Sequence, residues 1–354
     1  MRPIKQFKST LDIEDMKNGG NQRVFDAINT DLDQKELKKR VRLLRGLDLK
    51  HANFDYLKKL LIPLMNGYFI SSTVSNIEEP IYRAVSWSTK PTNKVQLGCP
   101  PASKVKLGRA NNPEKPVFYG SAGCHSTIIE LAPNLGDRLV ISKWRTNANL
   151  HLVCAGYTAD AFKNKSGMNR FENLPWVNQH KTDPLSNRNG NKIIHEFLAH
   201  EFMKKIPRNQ EWKYKISAAI SEISLNALSF GINGAPAIEV AGILYPSTPN
   251  EANADNVALR SHIAEKYLDF VSAQYIEIIQ KTDRPEYTMR GLDFADSLSD
   301  TGEIKWQNSF PHQLFAGSDH TARHGEYNIE ILDNKNVVVG NIPYNLERLV
   351  TEAQ

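Results

Sequence analysis

The chain has 354 residues, 40% of them hydrophobic and 23% charged, with 20 glycines and 18 prolines. Those proportions exclude wholesale disorder and collagen-like or low-complexity chains, and the length suits one large domain or two modest ones. The net charge of +5 suits an anionic small molecule or an acidic partner and falls short of a nucleic-acid footprint.

Residues 1–20 are scattered polar residues ending in Asn18-Gly19-Gly20 and read as a loose leader. No apolar stretch succeeds the basic start, and no run reaches the roughly 18–20 apolar residues of a spanning helix, so a cytoplasmic protein without membrane contact is expected. A helical N-terminal region comes next, over 21–74, with Val24, Ile28 and Leu32, then Leu37, Val41 and Leu44, at helix spacing. Asp31 and Asp33 are placed to start its second helix. Lys35, Lys38, Lys39, Arg40, Arg42 and Arg45 read as a solvated face, because no aromatic interleaves them as a nucleic-acid platform requires. Leu57–Met65 is apolar enough to pack this region onto the next part of the chain.

The texture changes near Ile70. Short strands are predicted at Phe118-Tyr119, Arg138–Trp144 and Leu150–Cys154, separated by turn formers. Pro91–Pro116 is a long irregular stretch of the kind that often carries function, and residues 161–190 form a polar insertion. Helices are predicted over Ile193–Lys205 and Lys215–Phe230, then strands at Ile238–Tyr245 and Tyr267–Ile279. This is a mixed α+β chain without internal repeats. In the tail, Phe310-Pro311-His312 and His320–His324 read as surface groups.

Cys99, Cys124 and Cys154 are 25 and 30 residues apart, a spacing that fits neither a disulfide framework nor a zinc knuckle. His195 and His200 look like a zinc-protease pair but stand five apart, roughly 140° around a helix, so they cannot share a metal. Ile194, Phe197, Leu198 and Phe202 make that segment a core helix, and no metal is expected.

Leu107–Gly120 is more informative. Arg109 leaves a glycine-containing loop, Tyr119 lies on the next strand, and Glu130 sits in the helix after it. A guanidinium can clamp a phosphate, an aromatic ring can stack on a base, and a fixed carboxylate can stabilise an oxocarbenium-like centre as a glycosidic bond breaks. The ordinary alternative is a core tyrosine and a surface Arg109–Glu130 ion pair. Val240–Ser247 is an apolar strand delivering a hydroxyl at its end, before a turn-rich loop and Asn256-Val257-Ala258-Leu259. Ser247 alone is more often a capping serine, and no Gly-x-Ser-x-Gly elbow surrounds it.

In order, Ile81-Tyr82-Arg83, the Pro100-Pro101 loop leading to Gly108-Arg109-Ala110-Asn111, Val117-Phe118-Tyr119, the helix with Glu130 and the Tyr245-Pro246-Ser247…Asn256 block resemble a RES domain. The resemblance covers 75–280, leaving the helical region before it and a C-terminal extension over 281–354 outside. It implies an ADP-ribosyltransferase-like core and a bacterial toxin that consumes NAD at the nicotinamide–ribose bond, by hydrolysis or phosphorolysis. NAD is then the substrate, and a cognate antitoxin that blocks the cleft is the expected partner. By the same resemblance Glu130, Arg109 and Ser247 are catalytic, and Arg83, Tyr119 and Asn256 bind substrate. Two departures stand out: the Ser247–Asn256 loop is longer than usual, and the 161–190 insertion exceeds what compact toxins carry. The competing readings are transfer of ADP-ribose to a protein, with the N-terminal region recognising the target, and a non-catalytic module that holds nucleic acid or an acidic partner on its basic helix.

Overall fold

The computed structural model describes residues 33–65, 68, 72–75, 77, 79–182, 189–226, 239–281, 287–308, 314–316, 327–332 and 338–344. The leader, the helix expected around Val24–Leu32, residues 227–238 and the histidine-containing segments of the tail lie outside them.

Helix α1 (Gln34–Arg45) starts at Asp33, whose carboxylate accepts the Lys35 amide at 2.9 Å, and it ends at Gly46. Leu37, Val41 and Leu44 are buried, whereas Lys35, Lys38, Lys39, Arg42 and Arg45 are exposed. Helix α2 (Phe54–Met65) buries Leu57, Leu61 and Leu64 completely. These residues are not a separate cap. They pack in one cluster with Ile194, Phe197, Leu198 and Phe202 of α7 (Asn189–Phe202), Ile216, Ala219 and Ile220 of α8 (Lys215–Asn226), and Ile243, Tyr245 and Ala258 of the sheet.

The sheet has ten strands: β1 (Ser72–Ser75), β2 (Pro80–Ser86), β3 (Val117–Ser121), β4 (Arg138–Thr146), β5 (Leu150–Cys154), β6 (Gly242–Pro246), β7 (Asp255–Arg260), β8 (Leu268–Lys281), β9 (Tyr287–Ala295) and β10 (Leu314–Ala316). Their order is β1-β5-β6-β7-β3-β2-β4-β8-β9-β10, so the sheet runs on past residue 280. Among the described residues only β5 and β6 pair in parallel, and a parallel pair needs a crossover. That crossover holds α4 (Ala159–Phe162), α5 (Met168–Phe171), α6 (Pro175–Thr182), α7 and α8. A separate hairpin pairs β11 (Tyr327–Leu332) with β12 (Val338–Tyr344).

Strand alternation sorts the core into layers. Val117, Tyr119, Tyr245 and Ala258 meet the long helices, while Phe118, Val257 and Leu259 meet α9 (Ser261–Tyr267), Trp144 and Ile304 on the other face. Helix α3 (Cys124–Leu131) packs Ile128 and Ile129 against Leu139, Ile141 and Ile276. β3 and β2 share a single ladder pair, Tyr82 with Ser121. The architecture is a mixed α+β fold, as the sequence predicts, and among the described residues no helix is long and apolar enough to cross a membrane.

Candidate functional site

Three chain segments meet beside the last turn of α3. Apolar Ile128 and Ile129 hold the helix to the sheet, which leaves Glu130 exposed. β6 ends at Pro246 and delivers Ser247; β7 returns beside it with Asn256 paired to Tyr245 on one side and Ser121 on the other. The Ser247 hydroxyl donates to Glu130 Oε1 at 2.7 Å, and Asn256 Nδ2 donates to the same oxygen at 2.6 Å. Both donors are buried, Ser247 at 0% and Asn256 at 4% exposure, so they cannot swing away to water. No described side chain donates to Oε2, so one carboxylate oxygen is fixed by the protein and the other, on an exposed residue, is not engaged by a described side chain.

Ser247 is itself held by the fold. Its amide donates to Ala254 O at 2.8 Å, its carbonyl accepts the Ala252 amide at 2.8 Å, and its Oγ accepts the Asn250 amide at 3.3 Å. Asn250 Nδ2 reaches Ser126 on α3 at 2.9 Å, tying the loop to the helix that carries Glu130.

Arg109 is half-buried, and most of its donors are engaged with protein. Nη1 donates to the carbonyls of Phe202 and Glu201, Nη2 to that of Lys204 at 2.9 Å, and the guanidinium lies 4.9 Å from the Tyr214 ring centroid. It therefore caps the C-terminus of α7, where orphaned carbonyls and the negative helix end favour a cation. Nε and one Nη2 hydrogen make no bond to a described residue. Tyr119 braces the same loop: its hydroxyl accepts the Ala110 amide at 2.8 Å and donates to Asn111 Oδ1 at 2.8 Å. Burial raises its phenol, and the Ala110 amide and Arg109 oppose that rise.

Tyr245 is buried, its ring 5.7 Å from that of Phe202 at the end of α7. Burial raises its phenol well above the ordinary value, Tyr119 and Glu130 raise it further, and Arg109 opposes them. Arg83 lies elsewhere, on the β2 face shared by Ile81 and Val85 and next to the single ladder pair of β2 with β3. Its Nη1 donates to the Tyr119 carbonyl at 2.8 Å and its guanidinium sits 5.2 Å from the Phe118 centroid. Its Nε is buried without a partner, and burial lowers its proton affinity.

The structure thus joins Glu130, Ser247 and Asn256 directly, places Arg109 on a loop that Tyr119 of β3 braces, and sets Arg83 against the Tyr119 carbonyl. It adds residues that the sequence does not single out. Arg208 donates to the Leu131 and Ala132 carbonyls at the end of α3, and Asn250 fastens the serine loop. Contacts to backbone carbonyls obey no periodicity, so only the cluster of turn formers around Asn250 hints at them.

The three cysteines are free thiols. Burial pushes Cys99 up to about 11 and Cys124 up to about 12, so neither is a thiolate at neutral pH. His195 is spent on Tyr68, at 2.8 Å, and on the Tyr157 carbonyl, at 3.0 Å. Among the described residues no three His, Cys, Asp or Glu side chains converge as metal ligands. Compared with known proteins, the chain matches no family model and no curated protein.

Proposed function

We propose that the chain cleaves NAD at the nicotinamide–ribose bond. The observation that carries this reading is the shared bond of Ser247 and Asn256 to Glu130 Oε1, which orients the carboxylate and leaves Oε2 for a substrate. Nicotinamide in NAD is already cationic and departs neutral, so its leaving needs no proton. What the reaction needs is stabilisation of the ribosyl oxocarbenium, and a preorganised carboxylate supplies that in a site where it need not reorganise.

In this reading Glu130 Oε2 faces the ribose, accepting a hydrogen bond from a ribose hydroxyl and, still ionised, lying against the developing positive charge at C1′. The C1′–N bond breaks with its electron pair going to nicotinamide. Water then adds at C1′ and its proton passes to solvent, giving ADP-ribose; phosphate in the place of water gives a ribosyl phosphate. Arg109 anchors α7 with one edge and offers Nε and the remaining Nη2 hydrogen to the diphosphate. Tyr119 and Asn111 hold the loop that aims it.

The test is NAD consumption by purified protein, wild type beside Glu130→Gln, with nicotinamide and the ribosyl product resolved and phosphate present or absent. Wild type should release nicotinamide, and Glu130→Gln should slow release by roughly 100- to 1,000-fold. A wild-type protein that leaves NAD intact, or a variant as fast as wild type, sinks the reading. Label appearing on protein instead of in free product would move the acceptor to a side chain.

A further inference from the structure

The longer Ser247–Asn256 loop and the polar insertion, the two departures from the resembled pattern, pack against each other. The loop carries two consecutive non-glycine residues in the left-handed region, Glu251 at φ 48° and Ala252 at φ 64°. L-residues adopt that conformation only when surroundings hold them there. What surrounds them is the insertion. Arg170, at the end of α5, donates from Nε to the Ala252 carbonyl, and the Gly167 amide donates to the Glu251 carbonyl at 3.1 Å. A Cβ on Gly167 would stand 2.3 Å from the Ala252 oxygen, so the approach requires glycine. Ala252 is buried among Tyr157, Phe162, Phe171 and Val177.

The same arginine reaches the far end of the loop. Its two terminal nitrogens fork onto Asp255, Nη1 to Oδ2 at 2.9 Å and Nη2 to Oδ1 at 2.7 Å, and the Tyr157 hydroxyl donates to Oδ1 at 2.8 Å. Asp255 is 8% exposed and directly precedes Asn256. Arg170 thus grips the loop at its strained middle and again one residue before a donor to Glu130.

We propose that Arg170 is a positioning residue, whose fork onto Asp255 and bond to Ala252 hold the 248–255 loop so that Ser247 and Asn256 both aim at Glu130. The 159–182 segment is then a clamp on the site. This deepens the NAD-cleaving reading and rests on it.

The experiment compares full-length wild type, Arg170→Lys and Arg170→Ala in steady-state NAD cleavage, in backbone hydrogen exchange across 247–256, and in thermal melting. Lysine keeps the charge and loses the planar fork. In Arg170→Lys, kcat should fall at least about tenfold with KM changed by less than about twofold, while exchange at 248–255 accelerates and α7 keeps wild-type protection. Arg170→Ala should be worse in both readouts. Equal kcat in Arg170→Lys and wild type overturns the positioning role and leaves NAD cleavage standing; so does lost kcat with unchanged loop exchange. A wild type without NAD cleavage overturns the functional reading, and the positioning role falls with it. If Arg170→Ala fails to melt cooperatively, Arg170→Lys decides alone.

Discussion

Glu130 Oε1 accepts from two buried donors at once, and that shared acceptor is what a single substitution can probe. Removing the Ser247 hydroxyl leaves Asn256 in place, so the carboxylate loses part of its orientation and keeps its charge. Ser247→Ala should therefore reduce kcat for NAD cleavage by about 10- to 100-fold, with KM little changed. Combining it with Asn256→Ala should cost less than the product of the two separate losses, because the donors act on one oxygen. A double-mutant cycle in kcat checks this; strict multiplicativity would mean that the two donors serve different ends. Gly108 makes a different residue-scale case. A Cβ there would lie 2.4 Å from Asn111 Oδ1 and 2.6 Å from the Tyr119 hydroxyl, the two atoms that brace the Arg109 loop. Gly108→Ala should destabilise the protein by roughly 1–3 kcal/mol in urea unfolding, and a midpoint equal to wild type would mean that the loop yields without cost.

At the scale of elements, Arg109 is a C-cap as much as a ligand. Three carbonyls at the end of α7 accept from its guanidinium, and Tyr214 lies beneath it. Arg109→Lys keeps the charge and breaks the fork, so it should cost roughly 1–3 kcal/mol of stability, read as a lower urea midpoint, besides any rise in KM for NAD. A stability change near zero would mean that the cap is dispensable. How much of this is legible in the sequence depends on which forces each part obeys. The α7 stripe and the strands β4 and β5 obey apolar periodicity, and their expected positions agree with the observed ones to within a few residues. Glu130, Ser247 and Asn256 are legible as motif residues, but their common contact depends on β6, β7 and α3 meeting across more than a hundred residues of chain. β9 is hidden: its pairing with β8 shifts register twice and skips Leu292, so strict alternation breaks in mid-strand. Arg109's partners are hidden too, since backbone carbonyls leave no mark on side-chain pattern.

For the whole molecule, the decisive feature is that the N-terminal helices belong to the same core as the site. Glu222 on α8 receives Lys58 from α2 at 3.1 Å, Lys115 from the Arg109-bearing stretch at 2.7 Å, and Asn112 Nδ2 at 2.6 Å. Burial alone would raise its carboxyl, but Lys115 and Lys58 outweigh burial and hold it below the ordinary value. A depressed carboxyl contributes stability that is complete above its unfolded value, about 4.3, and disappears as pH falls through the folded value. Glu222→Gln should accordingly narrow the stability difference between pH 7 and pH about 3, measured by urea unfolding at both; an unchanged difference would remove Glu222 from the acid limb. The same integration bears on the competing view that residues before Ser71 are a detachable docking module. Leu37, Leu44, Leu57, Leu61 and Leu64 are each at most 3% exposed, and burying such a side chain is worth roughly 1.5–3 kcal/mol. Five of them amount to about as much as the entire stability of a typical domain, 5–15 kcal/mol. A fragment of residues 71–354 should therefore lose its near-ultraviolet circular dichroism and its NAD cleavage together. Charge reversal at the exposed Lys35, Lys38 and Lys39 leaves the core intact and is the cleaner probe of docking. If the truncated fragment instead folds and still cleaves NAD, the helices are an appendage, and target recognition becomes their better explanation.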